Sequence, residues 1–389
     1  MAAVSDIADA AKRLIVGRPV RSDRLGHTLL PKRIALPVFA SDALSSMAYA
    51  PDEILLTLAI AGLGATVISP WVGLGVALVL VVVVTSYRQN VRAYPSGGGD
   101  YEVATTNLGP RAGLTVASAL LVDYVLTVAV SVSAGAQFAA VALPALRGHE
   151  MQVALVVVGV LMLLNLRGVK EAGTLFAIPT YLFVATVFAT LAVGWVRVAT
   201  GTLPPAETAE LDVAPQEGFA ALGVDQGLMS LAIALLVLRA FASGCAALTG
   251  VEAISNGVPA FRKPKGRNAA TTLALLGTIS ATFLMSILLL ARAADVHYVE
   301  FPATQLLRDG VPVGEDYVQH PVLGQLAASV FSGFTPAVVL VAVVTGLILV
   351  LAANTAFNGF PVLGSILARD GFLPRQLHTG GDRLAYSHG

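Results

Sequence analysis

The sequence predicts an all-α polytopic membrane protein, and three observations carry that prediction. Apolar stretches long enough to cross hydrocarbon recur along the chain. Charged residues make up 12% of its 389 residues, against roughly 25% in a soluble domain. Lys and Arg collect in alternate connecting segments. With 56% hydrophobic residues, an ordinary soluble enzyme is excluded. Twenty-four basic and 24 acidic residues leave no net charge, so nothing favours a nucleic-acid partner. The one cysteine, Cys245, can form neither an internal disulfide nor a thiolate metal site. Residues 1–33 hold no apolar core of signal-peptide length. The six histidines show no paired ligand spacing and no nucleophile–base set appears, so neither a cofactor nor an enzymatic activity is expected.

A span needs about 20 apolar residues. Eight segments qualify: 34–63, 69–87, 112–142, 151–166, 172–196, 226–255, 269–291 and 324–352. Before them lies a basic segment, 1–33, in which Ile7 to Ile15 can form either a short surface helix or a solvated arm. If that segment is cytoplasmic, the inner segments 1–33, 88–111, 167–171, 260–268 and the tail from 366 hold 19 of the 24 Lys and Arg. The outer loop 201–225 carries Glu207, Glu210, Asp212, Glu217 and Asp225 and no base. The positive-inside rule therefore places both termini in the cytoplasm. In the inner loop, Tyr94 to Tyr101 holds three successive glycines and reads as a sharp turn or an anion nest.

The first and sixth spans are interrupted by polar residues. The first contains Ser41, Asp42, Ser45, Ser46, Tyr49 and Pro51. Pro51 removes a backbone donor and clashes with the preceding turn, which favours unwinding just before it. The sixth contains Ser243, Gly244, Thr249, Gly250 and Glu252. Unwound backbone survives in a bilayer only where it is buried in protein or lines a wet cavity. Equivalent interruptions in two halves of a chain point to a transporter's midplane site.

Acids inside spans are costly, about 2.5–3.5 kcal/mol at a helix centre on the insertion scale. Asp52 and Glu53 follow Pro51 and suit the first turn of a second half-helix. Asp123 can pair with Arg239. Asp42 and Glu252 have no basic neighbour in sequence, so each needs a cation, a proton or a partner. Tyr124, Thr127 and Ser131 recur at spacings of 3 and 4, which puts them on one face of the third helix. They suit either a cation path or interhelical packing. Asn354 and Thr355 read as the C-terminal cap of the eighth helix, and His297 and His320 as solvated residues of the outer loop 293–323.

Four motifs together carry a family resemblance. Ser41-Asp42-Ala43-Leu44-Ser45-Ser46 with Ala48-Tyr49, Tyr94-Pro95-Ser96-Gly97-Gly98-Gly99, Leu248-Thr249-Gly250-Val251-Glu252 and Leu367-Ala368-Arg369-Asp370-Gly371 resemble the amino acid–polyamine–organocation permease superfamily. Within it, Leu121 to Ser131 and Leu248 to Asn256 are most similar to potassium importers of the KUP type. The resemblance implies twelve helices, with two inverted five-helix repeats and broken helices 1 and 6, followed by a cytosolic domain that binds cyclic di-AMP. It implies a potassium path at Asp42, Tyr49, Tyr124, Thr127, Ser131 and Thr249, with Glu252 as the proton-coupling acid.

The expected organisation is a first repeat over 34–198, an acidic outer loop over 199–225, a partial second repeat over 226–365 and a cytoplasmic segment over 366–389. The chain stops at Gly389 before a ninth helix, which reads as a fragment truncated after helix 8, without the cyclic di-AMP domain. The expected activity is potassium import, coupled to protons, by alternating access in the plasma membrane. The expected partners are potassium, protons and the lipid bilayer, and a homodimer is compatible. One rival is an amino-acid/proton symporter of the same superfamily. Its carriers hold the substrate carboxylate with glycine amides at the first break, whereas this chain has no glycine between Phe39 and Pro51. A more remote rival is a membrane sensor or scaffold that transports nothing.

Overall fold

The computed structural model describes Leu29 and residues 31–94, 99–166, 173–216 and 231–378. The candidate surface helix Ile7–Ile15 and the centre of the Tyr94–Tyr101 turn lie outside the described residues. Helix α1, Lys32–Ser45, ends in one 3-10 turn, Ser46–Ala48, and the chain resumes as α2, Ala50–Ala59. The cause is local. Pro51 has no N–H to give and fits the first turn of a helix, so a new helix starts there. Asp52 and Glu53 occupy that first turn, as expected. The sixth span breaks in the same manner. Helix α8, Leu231–Gly244, passes through a 3-10 turn, Cys245–Leu248, to the short α9, Glu252–Asn256. Gly250 sits between the pieces at φ +78°, a conformation that L side chains resist.

Between these spans lie α3 (Ser69–Ala93), α4 (Gly99–Leu108), α5 (Pro110–Ala142), α6 (Glu150–Leu166) and α7 (Gly173–Ala199). Helix α4 falls in the polar segment 88–111 and packs along α5. After α9 come α10 (Lys265–Ala293), α11 (Val322–Val330) and α12 (Thr335–Arg369). Among the described residues, six helices are long and apolar enough to cross a membrane. The interrupted α1–α2 segment and the 17-residue α6 occupy two further expected spans. The outward faces match lipid. Trp71, Val82, Leu126, Leu155 and Leu238 are all exposed, as side chains can be where the solvent is as apolar as they are.

Several expectations need correction. The eighth span is not 324–352. Residues 322–330 form a separate helix, Gly333 turns the chain at φ +81°, and the long helix runs from Thr335 to Arg369. Asn354 and Thr355 therefore sit inside α12 and cap nothing. Asn165 Nδ2 donates to Asn354 Oδ1 at 2.9 Å, joining α6 to α12, and Thr355 Oγ1 donates to Leu351 O at 3.1 Å. A small antiparallel sheet, which the helical pattern did not foretell, joins β1 (Asp212–Val213), β2 (Leu306–Arg308) and β3 (Val311–Pro312) in that order. It ties the acidic loop to the loop between α10 and α11.

That tie buries His297, 6% exposed, and its Nδ1 lies 2.7 Å from Leu211 O. His320 is partly buried, with Nδ1 2.7 Å from Glu207 Oε1. Neither histidine is simply solvated. Asp52 takes a second role here. Its Oδ1 accepts the N–H of Val322 at 3.1 Å, which caps α11 from the start of α2.

Candidate functional site

Ending α1 and α8 in mid-chain frees backbone groups and small polar side chains at two places, and the fold brings those places into contact. Gly250 lies so close to α1 that an added Cβ would stand 2.6 Å from Ala43 N and 2.7 Å from Asp42 Cγ. Glycine is needed here for its backbone angle and for its lack of a side chain. Across the junction Ser46 Oγ meets Thr249 Oγ1 at 2.8 Å and Tyr49 OH at 3.0 Å. Thr249 Oγ1 donates to Ala246 O at 2.9 Å. A hydroxyl has one proton to give, so the chain of bonds that satisfies these contacts runs from Tyr49 to Ser46 to Thr249 to Ala246 O.

Asp42 stands on the last turn of α1, 4% exposed. Its backbone carbonyl accepts Ser45 Oγ at 2.7 Å and stands 3.2 Å from Ser46 Oγ, a second acceptor for the Ser46 proton when Thr249 does not take it. Its side-chain Oδ1 is buried with no hydrogen-bond partner among the described residues, and Ser131 Oγ on α5 is likewise buried without a partner. Buried polar atoms are nearly always bonded. A buried carboxylate oxygen without a donor, close to a chain of hydroxyls, has the chemistry to receive a hard cation.

The other expected residues lie on α5 and α9. Thr127 and Ser131 are both buried on α5, 4% and 0% exposed, as one-face spacing requires. No hydrogen bond joins either to Asp42 or Thr249 among the described residues. Tyr124 is half-buried, with its ring packed on Gly359 of α12. The charges of Glu252, Asp123 and Asp42 all act on its hydroxyl. Glu252 is 8% exposed at the start of α9, and its carboxylate takes its own backbone N–H. It stands within the fields of Asp42, Asp123 and Asp100.

The expected pair of Asp123 with Arg239 does not form. Arg239 is exposed on α8, and no ion pair joins the two among the described residues. Among the described residues no ion pair reaches Asp42, Asp123 or Glu252. Ser46, the centre of the hydroxyl chain, is the last residue of the Ser41–Ser46 motif. Its position four residues after Asp42 and three before Tyr49 is the signal that places it between them.

Comparison with known proteins identifies the family. A family model described as amino acid permease matches residues 39–388. The chain is 41% identical over 379 residues to the potassium transporter KimA of Bacillus subtilis (strain 168), covering 97% of this chain and 57% of that relative. The chain therefore spans a little over half the length of the curated relative that it matches. The family model covers most of the chain, and the chain belongs to the amino acid permease family of the amino acid–polyamine–organocation superfamily.

Proposed function

We propose that this chain carries the ion path of a potassium importer that uses proton coupling and alternating access. The observation that carries the proposal is the buried, unpartnered Oδ1 of Asp42 beside the hydroxyl chain of Tyr49, Ser46 and Thr249. Potassium would take its charge compensation from Asp42 and its neutral ligands from Tyr49, Tyr124, Thr127, Ser131 and Thr249. Glu252 would load and release the driving proton. The relative at 41% identity bears the name potassium transporter, which supports the same substrate. The two broken segments would be equivalent members of an inverted repeat, the first half over 34–198 and the second beginning at 226. The basic ends of the helices would face the cytoplasm and the acidic sheet the outside of the plasma membrane.

An amino-acid substrate is favoured by the family model's description. Against it stands the composition of the first break. No glycine lies between Phe39 and Pro51, and the Asp42 carboxylate would repel the carboxylate that such a carrier must hold.

The test is Asp42→Asn in the protein with any sequence that follows residue 389 in its gene retained. In a strain without other importers, growth on limiting potassium should be lost, and the half-saturating concentration should rise at least about tenfold, a loss of about 1.4 kcal/mol of attraction. Membrane abundance should be unchanged. Normal growth of the variant would remove Asp42 from the path.

A further inference from the structure

The potassium path accounts for Asp42 and Glu252, but not for a polar pair beside them. Tyr87 OH on α3 donates to Asp100 Oδ2 on α4 at 2.5 Å. Asp100 also lines a cavity of about 500 Å³ together with Asn90, Tyr94 and Asn107. On its other side, the start of α4 abuts α9 with no space between. A Cβ on Gly99 would run into Asn256 Oδ1. Asn256 lies four residues after Glu252, so the two share a helical face, and that face is the one against α4. The charge of Asp100 acts on Glu252, and that of Glu252 acts on Tyr87. Glu252, the Tyr87–Asp100 pair and the cavity therefore follow one another from the helix break towards the polar segment 88–111.

We propose that Asp100, held in place by Tyr87, accepts the proton that Glu252 releases and passes it to water in this cavity. The inference rests on the coupling role proposed for Glu252. In the step, the O–H bond of the Glu252 carboxyl breaks and the proton moves through water to the Asp100 carboxylate. This leaves Glu252 charged and Asp100 neutral. Asp100 then loses the same proton to cavity water, and no oxidant or further reactant is needed. The titratable groups around Asp100 are Tyr87 from α3, Tyr94 at the cavity wall, Tyr124 from α5 and Glu252 from α9. Among the described residues no base forms an ion pair with it. Burial pushes the Asp100 carboxyl above the usual carboxylate range, and the Tyr87 hydrogen bond opposes that shift. A carboxyl raised by burial, with a tyrosine on one side and a cavity on the other, is placed to take up a proton and pass it on.

The experiment separates potassium movement from proton delivery. Protein with any sequence after residue 389 retained is placed in proteoliposomes, and two rates are read: rubidium exchange at equal pH on both sides, and accumulation driven by an imposed pH gradient with a trapped pH dye. Asp100→Asn should keep exchange near the wild-type rate while driven accumulation and lumen acidification fall at least about tenfold. Asp100→Glu should restore both. Tyr87→Phe should weaken coupling less than Asp100→Asn. Full coupling in Asp100→Asn overturns the relay and leaves the role of Glu252 intact. Equal loss of exchange and accumulation in both Asp100 variants assigns a structural role and overturns it too. Wild-type protein that accumulates potassium without acidifying the lumen removes the coupling role of Glu252, and the relay with it.

Discussion

Asp42 and Glu252 are both acids at the ends of interrupted helices, yet their surroundings differ. Asp42 keeps one carboxylate oxygen without a donor, whereas Glu252 satisfies part of its charge on its own backbone N–H. The first arrangement suits an ion that comes and goes, the second a proton that does. Glu252→Gln mimics the protonated acid and tests this. The variant in proteoliposomes should still exchange potassium, while a pH gradient should no longer drive accumulation. Gradient-driven uptake that persists in Gln would show that the acid is only a backbone partner. Both acids were legible in the sequence because a charge in a span is costly. The Asp123–Arg239 pair was misjudged, since proximity to the membrane centre in two helices does not say which faces they present. Arg239 faces outward.

Among the elements, the broken helices were readable because their causes are local: Pro51 in the first and Gly250 in the sixth. Gly250 permits a test. An alanine there meets a positive φ that costs an L residue about 1–2 kcal/mol, and its Cβ would press on Ala43 N and the Asp42 side chain. Gly250→Ala should lower the melting temperature and raise the half-saturating potassium concentration together, because the same contact aligns both breaks. Wild-type transport in the alanine variant would mean that the breaks need not touch as closely as they do. The eighth span was misplaced for the opposite reason. Residues 322–352 are nearly continuous in hydropathy, and only the turn at Gly333 separates α11 from α12. A hydropathy window averages across such a turn.

For the molecule as a whole, α8 packs on α2, α9 and α12 pack on α1, and the Val322 N–H donates to Asp52 to tie α11 to the start of α2. If the junction is an ion site, the folded protein should gain stability from its ion. Binding stabilises by mass action, about 2.7 kcal/mol at a hundredfold excess over the dissociation constant. Potassium at constant ionic strength should therefore raise the melting temperature in a saturable manner, and sodium should raise it less. Stabilisation by an amino acid and not by potassium would favour the amino-acid carrier. Indifference to both would favour a scaffold.

The membrane class, the positions of most spans, the two breaks and the candidate acids were determined by sequence alone. In a bilayer each helix must satisfy its own backbone, so length, hydropathy and local breakers decide those features without reference to partners. Only the tertiary structure decided which polar groups meet. Ser46 reaches Thr249 across 203 residues, Asp52 reaches Val322 across 270, and Tyr87 finds Asp100 on the next helix. It also decided that His297 is buried and that Arg239 is not. Those outcomes depend on helix rotation and close packing between distant segments, which sequence spacing within one helix cannot encode.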